Sequence, residues 1–228
     1  MHDLFFFRLP CRVARVRRQV PRLFRVLPAA AFFFAVSVYA QFGALPTTQV
    51  HDTSALKPPR GARVAIIEFA DMECPYCAQV NPLLEQAVAK YKIPWVRHDF
   101  IIPYHAWSPR AAANARWFDT RSKALGEAYR DAVFAKQPFI YNLMTLSLFT
   151  QEFAQSHGVK LPYSLDPEDK FSADVQADTD LGKRLGITHT PTIFIVTANS
   201  KGAPYTEVLD PEHDLNRVIG QALADTRH

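Results

Sequence analysis

The 228-residue sequence predicts an α/β domain: a central mixed β-sheet flanked by helices, with an inserted helical subdomain. Three observations predict it. A buried-strand pattern, an amphipathic helix and a second β-rich segment follow one another within about 40 residues, which is the length of a βαβ unit. Residues 104–186 then lose their β-branched runs and read as helices. β character returns afterwards as a hairpin followed by one last helix.

The elements follow in order. Val64–Ala70 (VAIIEFA) is an almost continuous apolar run, as expected of a strand covered on both faces. Over Ala78–Tyr91, residues Val80, Leu83, Leu84, Ala87, Val88 and Tyr91 recur at helical spacing. Pro82 falls inside this helix and is expected to kink it. Trp95–Ile102 is a second strand segment and should run parallel to the first. Ser108-Pro109 reads as a helix start, with the serine as cap and the proline at the first position. Ala111–Lys136 carries one or two helices, and Asn142–His157 another, with Leu143, Leu146, Phe149 and Phe153 on one side and Gly158 as its stop. Ser172–Leu185 ends at Gly186. Thr192–Val196, a turn at Asn199–Gly202 and Tyr205–Leu209 form a hairpin, and Asp210-Pro211 starts the closing helix.

The formal charge of +4 is unevenly distributed. Residues 1–40 hold seven arginines against the single acid Asp3, and the rest of the chain carries a net charge of −2. The basicity therefore belongs to the leader, and no nucleic-acid footprint is seen. The arginines precede an uncharged run, Val26–Val50, whose most apolar part is Ala29–Ala40, with small residues at Val38-x-Ala40. Two readings follow: residues 1–40 as a cleaved secretory signal, or an N-terminal membrane anchor through residues 26–45. Both keep the arginines inside and export the remainder, to the periplasm or another extracytoplasmic, oxidising compartment. Residues 41–61 read as a linker with a short strand near Thr47–His51, and residues 62–226 as the working domain, with its helical insertion at about 104–186.

Cys11 lies in the leader, so the exported part has two cysteines, Cys74 and Cys77. Closing so short a loop removes little chain entropy, so the pair is a poor structural staple. Wound into the first turn of a helix, two intervening residues bring the sulfurs together. The first cysteine then meets unpaired N–H groups that stabilise its thiolate. Cys74 is expected to attack and Cys77 to resolve. A structural zinc site would need about four ligands; His98 and His105 have no ligand spacing to the pair, and no metal is expected. Glu68, inside the buried strand, is a candidate proton acceptor and donor for Cys77; the alternative is a solvated edge position. Asp71 and Glu73 are expected to be exposed and to oppose the thiolate slightly. Pro191, in Thr190-Pro191-Thr192, is expected to carry a cis bond facing the cysteines, with free backbone groups that an extended substrate peptide could pair with.

At IEFADMECPYC (Ile67–Cys77) and LGITHTPT (Leu185–Thr192) the chain resembles the DsbA-like branch of the thioredoxin superfamily, over about Ala62–Ala224. Pro82, eight residues after the first cysteine, matches the kink proline of thioredoxins. The resemblance implies a thioredoxin fold with a helical insertion, Cys74 as nucleophile, Cys77 as resolver, Pro191 in cis and Glu68 as the buried acid. The segment around His105 also looks familial, but His105 is read as a packed or surface residue. Where Tyr76 stands, the best-known oxidases have histidine. The Pro75-Tyr76 dipeptide also occurs in glutaredoxins, and a threonine at the place of Thr190 in isomerase-like members. The direction of electron flow is thus open. The leading expectation is a disulfide-forming oxidase acting on exported protein thiols, reoxidised by a quinone-linked membrane partner. It is expected to be monomeric and to need no cofactor beyond its own disulfide. A reductase or isomerase-like thioredoxin and a non-catalytic peptide-binding module are the alternatives.

Overall fold

The computed structural model describes residues 47–198 and 204–226. The leader, Cys11 and the turn expected at Asn199–Gly202 lie outside the described residues.

Four strands, β1 (Val64–Ala70), β2 (Trp95–Asp99), β3 (Thr192–Thr197) and β4 (Tyr205–Glu207), form one sheet in the order β2-β1-β3-β4. β1 runs parallel to β2 and antiparallel to β3, and β3 pairs antiparallel with β4, so the sheet is mixed. The helices are α1 (Pro75–Tyr91), α2 (Ser108–Asp119), α3 (Lys123–Lys136), α4 (Leu143–Ser156), α5 (Lys170–Leu185) and α6 (Pro211–Asp225). A short 3-10 turn, Gln137–Phe139, links α3 to α4.

The apolar run of β1 is explained by what covers it. Val64 and Ile66 pack with Val80, Leu84 and Ala87 of α1 and Leu215 and Ile219 of α6. Ala65, Ile67 and Phe69 point the other way, against Leu185, Phe194 and Val196. Side chains alternate across a strand. Glu68 therefore shares the face of Val64 and Ile66, the face that α1 covers. A third core fills the insertion: Trp107, Phe118, Tyr129, Leu146 and Phe153 pack together, and Met72, Cys74 and Cys77 join that cluster from the sheet domain.

Four expectations are corrected. First, no strand forms at Thr47–His51, and part of the segment read as a linker is tied to the domain. Thr48 donates through its N–H and hydroxyl to Glu207 at 2.7 and 2.6 Å, His51 N–H donates to the Leu185 carbonyl at 3.2 Å, and Leu56 is buried. Those hydrogen bonds go to a side chain and a helix end, so no ladder is built. Second, Ser108 does not cap α2. It lies inside the helix, its hydroxyl is buried without a partner, and the Glu73 carboxylate accepts from Trp107 and Ser108 N–H at 2.8 and 3.1 Å. Third, Leu143 is exposed at the first position of α4, whose start is held by the Asn142–Thr145 capping box. Fourth, α1 begins at Pro75, three residues before the Ala78 start expected from the apolar pattern, so that the CPYC segment forms its first turn.

Candidate active site

Cys74 is the N-cap of α1, with an extended backbone (φ −76°, ψ 119°), and Pro75 occupies the first turn, where a missing N–H costs nothing. No acidic residue lies in that turn. The helix tip therefore offers Cys74 N–H dipoles without a competing carboxylate. Neither cysteine is in a disulfide; Cys77 is fully buried and Cys74 nearly so. The Cys74 thiol lies 3.4 Å from the Thr190 carbonyl oxygen, and the Thr190–Pro191 bond is cis. Pro75 is exposed, Tyr76 half-buried and Pro191 buried.

The two sulfurs differ in proton affinity. Hydrogen bonding from the Cys77 thiol, joined by Thr190 and by the backbone of residues 76 and 77, outweighs burial and lowers the Cys74 thiol to about 6. Burial first, then donation to Cys74 and the charges of Cys74 and Glu68, pushes Cys77 well above the ordinary thiol range. Glu68 is not at an edge: β1 lies between β2 and β3, and the side chain is fully buried. Burial raises its carboxyl to about 7, against the opposing pull of Arg97 and of a hydrogen bond from Trp95. The Tyr76 phenol is pushed up by partial burial and by the charges of Glu212 and Asp210.

Asp71 and Glu73 are not the solvated acids expected. Asp71 is buried; it accepts from Glu73 N–H at 2.7 Å and from Ile102 N–H at 2.8 Å. His105 Nδ1 lies 3.0 Å from the same carboxylate, close enough for an ion pair when protonated but without hydrogen-bond geometry. His105 is thus a packed residue. Both acids spend their charge on backbone N–H groups, which tie the turn before Cys74 to the loop leading into α2. From the other side the Gln137 amide donates to the carbonyls of Met72 and Cys74 at 2.8 and 2.9 Å. Sequence reasoning missed Gln137, and no local signal marks it. Trp95 and Arg97 were missed as neighbours of Glu68, although strand alternation puts both on one face of β2.

An open groove of about 840 Å³ runs between α3 and α4, with Ile140, Leu148 and Phe149 among its lining residues. It belongs to the insertion and does not include the cysteines. Among the described residues, no three His, Cys, Asp or Glu side chains come together as a metal-holding group, and no helix is long and apolar enough to cross a membrane.

A family model described as thioredoxin matches residues 60–209. The chain belongs to the thioredoxin family. Within that family it is similar to disulfide bond formation protein D of Bacillus subtilis, at 26% identity over 143 residues, 59% of this chain and 64% of that protein. It is also similar to part of the Na(+)/H(+) antiporter NhaA 3 of Salinispora tropica, at 34% identity over 158 residues, 63% of this chain and 22% of that protein. The chain thus spans about a fifth of one of these relatives and just under two thirds of the other. The crystal structure of Wolbachia pipientis alpha-DsbA1 superposes with a TM-score of 0.58 at 20% identity, covering 79% of this chain and 94% of that one. The architecture is that of a DsbA-like thioredoxin fold with a helical insertion.

Proposed function

We propose that this thioredoxin-family protein is a thiol–disulfide oxidoreductase that exchanges a Cys74–Cys77 disulfide with thiols of exported proteins, working as a disulfide-forming oxidase. One observation carries the exchange reading: Cys74 caps α1 beside the cis Thr190–Pro191 bond, with Cys77 buried one turn further in, an arrangement that lowers the proton affinity of the first sulfur and raises that of the second.

In the oxidising direction a substrate thiolate attacks Cys74 Sγ of the disulfide. Cys77 leaves as a thiolate and takes a proton from Glu68. A second substrate thiolate then attacks the substrate sulfur of the mixed disulfide, and Cys74 departs as the stabilised thiolate. Two substrate thiols are oxidised to a disulfide and the protein pair is reduced. Thr190 and Pro191 on one side of Cys74, with Pro75 and Tyr76 on the other, form the rim that receives the substrate chain. No cofactor is needed beyond the cysteine pair. A membrane redox partner returns the pair to the disulfide. Export is supported by the arginine-rich, then apolar, leader.

The reductase reading has one observation in its favour. A Cys74 value of about 6 lies nearer the value of about 7 for thioredoxin than the roughly 3.5 of DsbA. Equilibration with glutathione separates the two. A potential near about −120 mV supports the oxidase and one near about −270 mV the reductase. Loss of dithiol oxidation in Cys74→Ser is expected; retained oxidation would leave only a peptide-binding role.

A further inference from the structure

On the buried face of β1 the Glu68 carboxyl has neighbours that the exchange steps above do not use. The indole N–H of Trp95 donates to Glu68 Oε2 at 3.1 Å, while Glu68 Oε1 is buried without a partner. Trp95 and Arg97 lie on the same face of β2 in parallel register, opposite Ile66 and Glu68. The Arg97 guanidinium lies over the Trp95 ring, 3.5 Å from its centroid. It is held there from α3 by Asp131 at 2.7 Å and Glu127 at 3.2 Å, and from α1 by Asn81 at 3.0 Å.

We propose that Trp95 is a positioning residue for the proton transfer at Glu68: it occupies Oε2 as an acceptor, so that the proton exchanged with Cys77 is carried on Oε1 alone. This rests on the oxidoreductase reading. A carboxylate oxygen that accepts an N–H bond along its lone pair is the poorer site for a proton, and the free oxygen takes it. The cation on the indole face is attracted to the ring and fixes its plane. The insertion thereby reaches the buried acid: α3 supplies the two carboxylates that hold Arg97, Arg97 holds Trp95, and Trp95 holds Glu68. The charged and titratable groups around Glu68 are Cys77 and Glu85 on α1, Arg97 on β2, and Glu127 and Asp131 on α3.

The step tested is the closure of the pair. Cys77 gives its proton to Glu68 Oε1, its sulfur bonds to Cys74 Sγ, and the group disulfide-bonded to Cys74 leaves as a thiolate. The full chain carrying Cys11→Ser is reduced and mixed with Ellman's reagent in a stopped-flow instrument, and the second release of thionitrobenzoate is followed from pH 5 to 9. The rate should rise through an inflection near 7, where Glu68 ionises. Trp95→Phe removes a donor that favours the carboxylate. The inflection should move up by about one pH unit, slowing closure roughly five-fold at pH 7 and little at pH 9. Arg97→Met, which removes both the cation above the ring and that cation's direct pull on Glu68, should move it the same way. In a Glu68→Gln background the inflection should vanish and neither substitution should add to the loss. An unmoved inflection in folded Trp95→Phe, or equal slowing with and without Glu68, overturns the proposal. An inflection that persists in Glu68→Gln also overturns it while leaving the exchange reading intact. A chain that never releases the second thiolate contradicts the exchange reading itself.

Discussion

The tip of α1 and the floor beneath it are a few residues apart in the fold and treat charge in opposite ways. At the tip, Cys74 caps a helix with no acid in its first turn and accepts hydrogen bonds, so the thiolate is favoured. At the floor, Glu68 and Cys77 are enclosed by α1, β2 and the insertion, and burial favours their neutral forms. The difference teaches where the asymmetry of a CxxC pair comes from. Three residues of helix separate a site with N–H dipoles from one without them, and on the proposed reading that separation assigns attack to one sulfur and resolution to the other.

The contrast can be broken at each end. Cys77→Ser should give the largest effect: turnover with a dithiol protein is lost, while Cys74 still attacks and accumulates as a mixed disulfide detectable by mass spectrometry. Failure to trap that adduct would remove Cys74 as the nucleophile.

Glu68→Gln sharpens the comparison through stability. A carboxyl raised from 4.5 to about 7 favours folding while protonated, and the benefit is lost as pH rises through the folded value. The reduced Gln variant should therefore match the natural protein near pH 4 and exceed it at pH 8 by about 3 kcal/mol, at 1.36 kcal/mol per unit. Urea denaturation at the two pH values reads the difference, and a gain of equal size at both would show that ionisation is not its source.

A smaller effect separates Glu73 from Ser108. Glu73→Ala removes the carboxylate that caps α2 from outside the helix and should cost about 1–2 kcal/mol. Ser108→Ala removes a buried hydroxyl that makes no hydrogen bond and should be neutral or slightly stabilising. Thermal or urea unfolding ranks them, and the reverse order would restore Ser108 as the cap.

The same contrast explains what was legible in the sequence. Elements whose reasons are local could be read. Val64–Ala70 carries its own apolar run, Asp210 caps α6 by accepting from His213 N–H, and Gly186, at φ 90°, stops α5 where a side chain would be strained. The cysteine pair and Glu68 stood out because a charged or nucleophilic residue interrupted a pattern. What escaped depends on partners distant in the chain. Glu73 caps a helix 35 residues away, Gln137 braces a turn 63 residues before it, and Thr48 is fixed by Glu207. No window of sequence contains both halves of those contacts.

The most direct measurement is the pH dependence of Cys74 alkylation by iodoacetamide in the reduced Cys11→Ser chain, read by peptide mass spectrometry. A thiolate stabilised at the helix tip should titrate with a midpoint near 6, with Cys77 unreactive across the same range. A Cys74 midpoint at the free-cysteine value of about 8.5, or equal reactivity of the two sulfurs, would contradict the account.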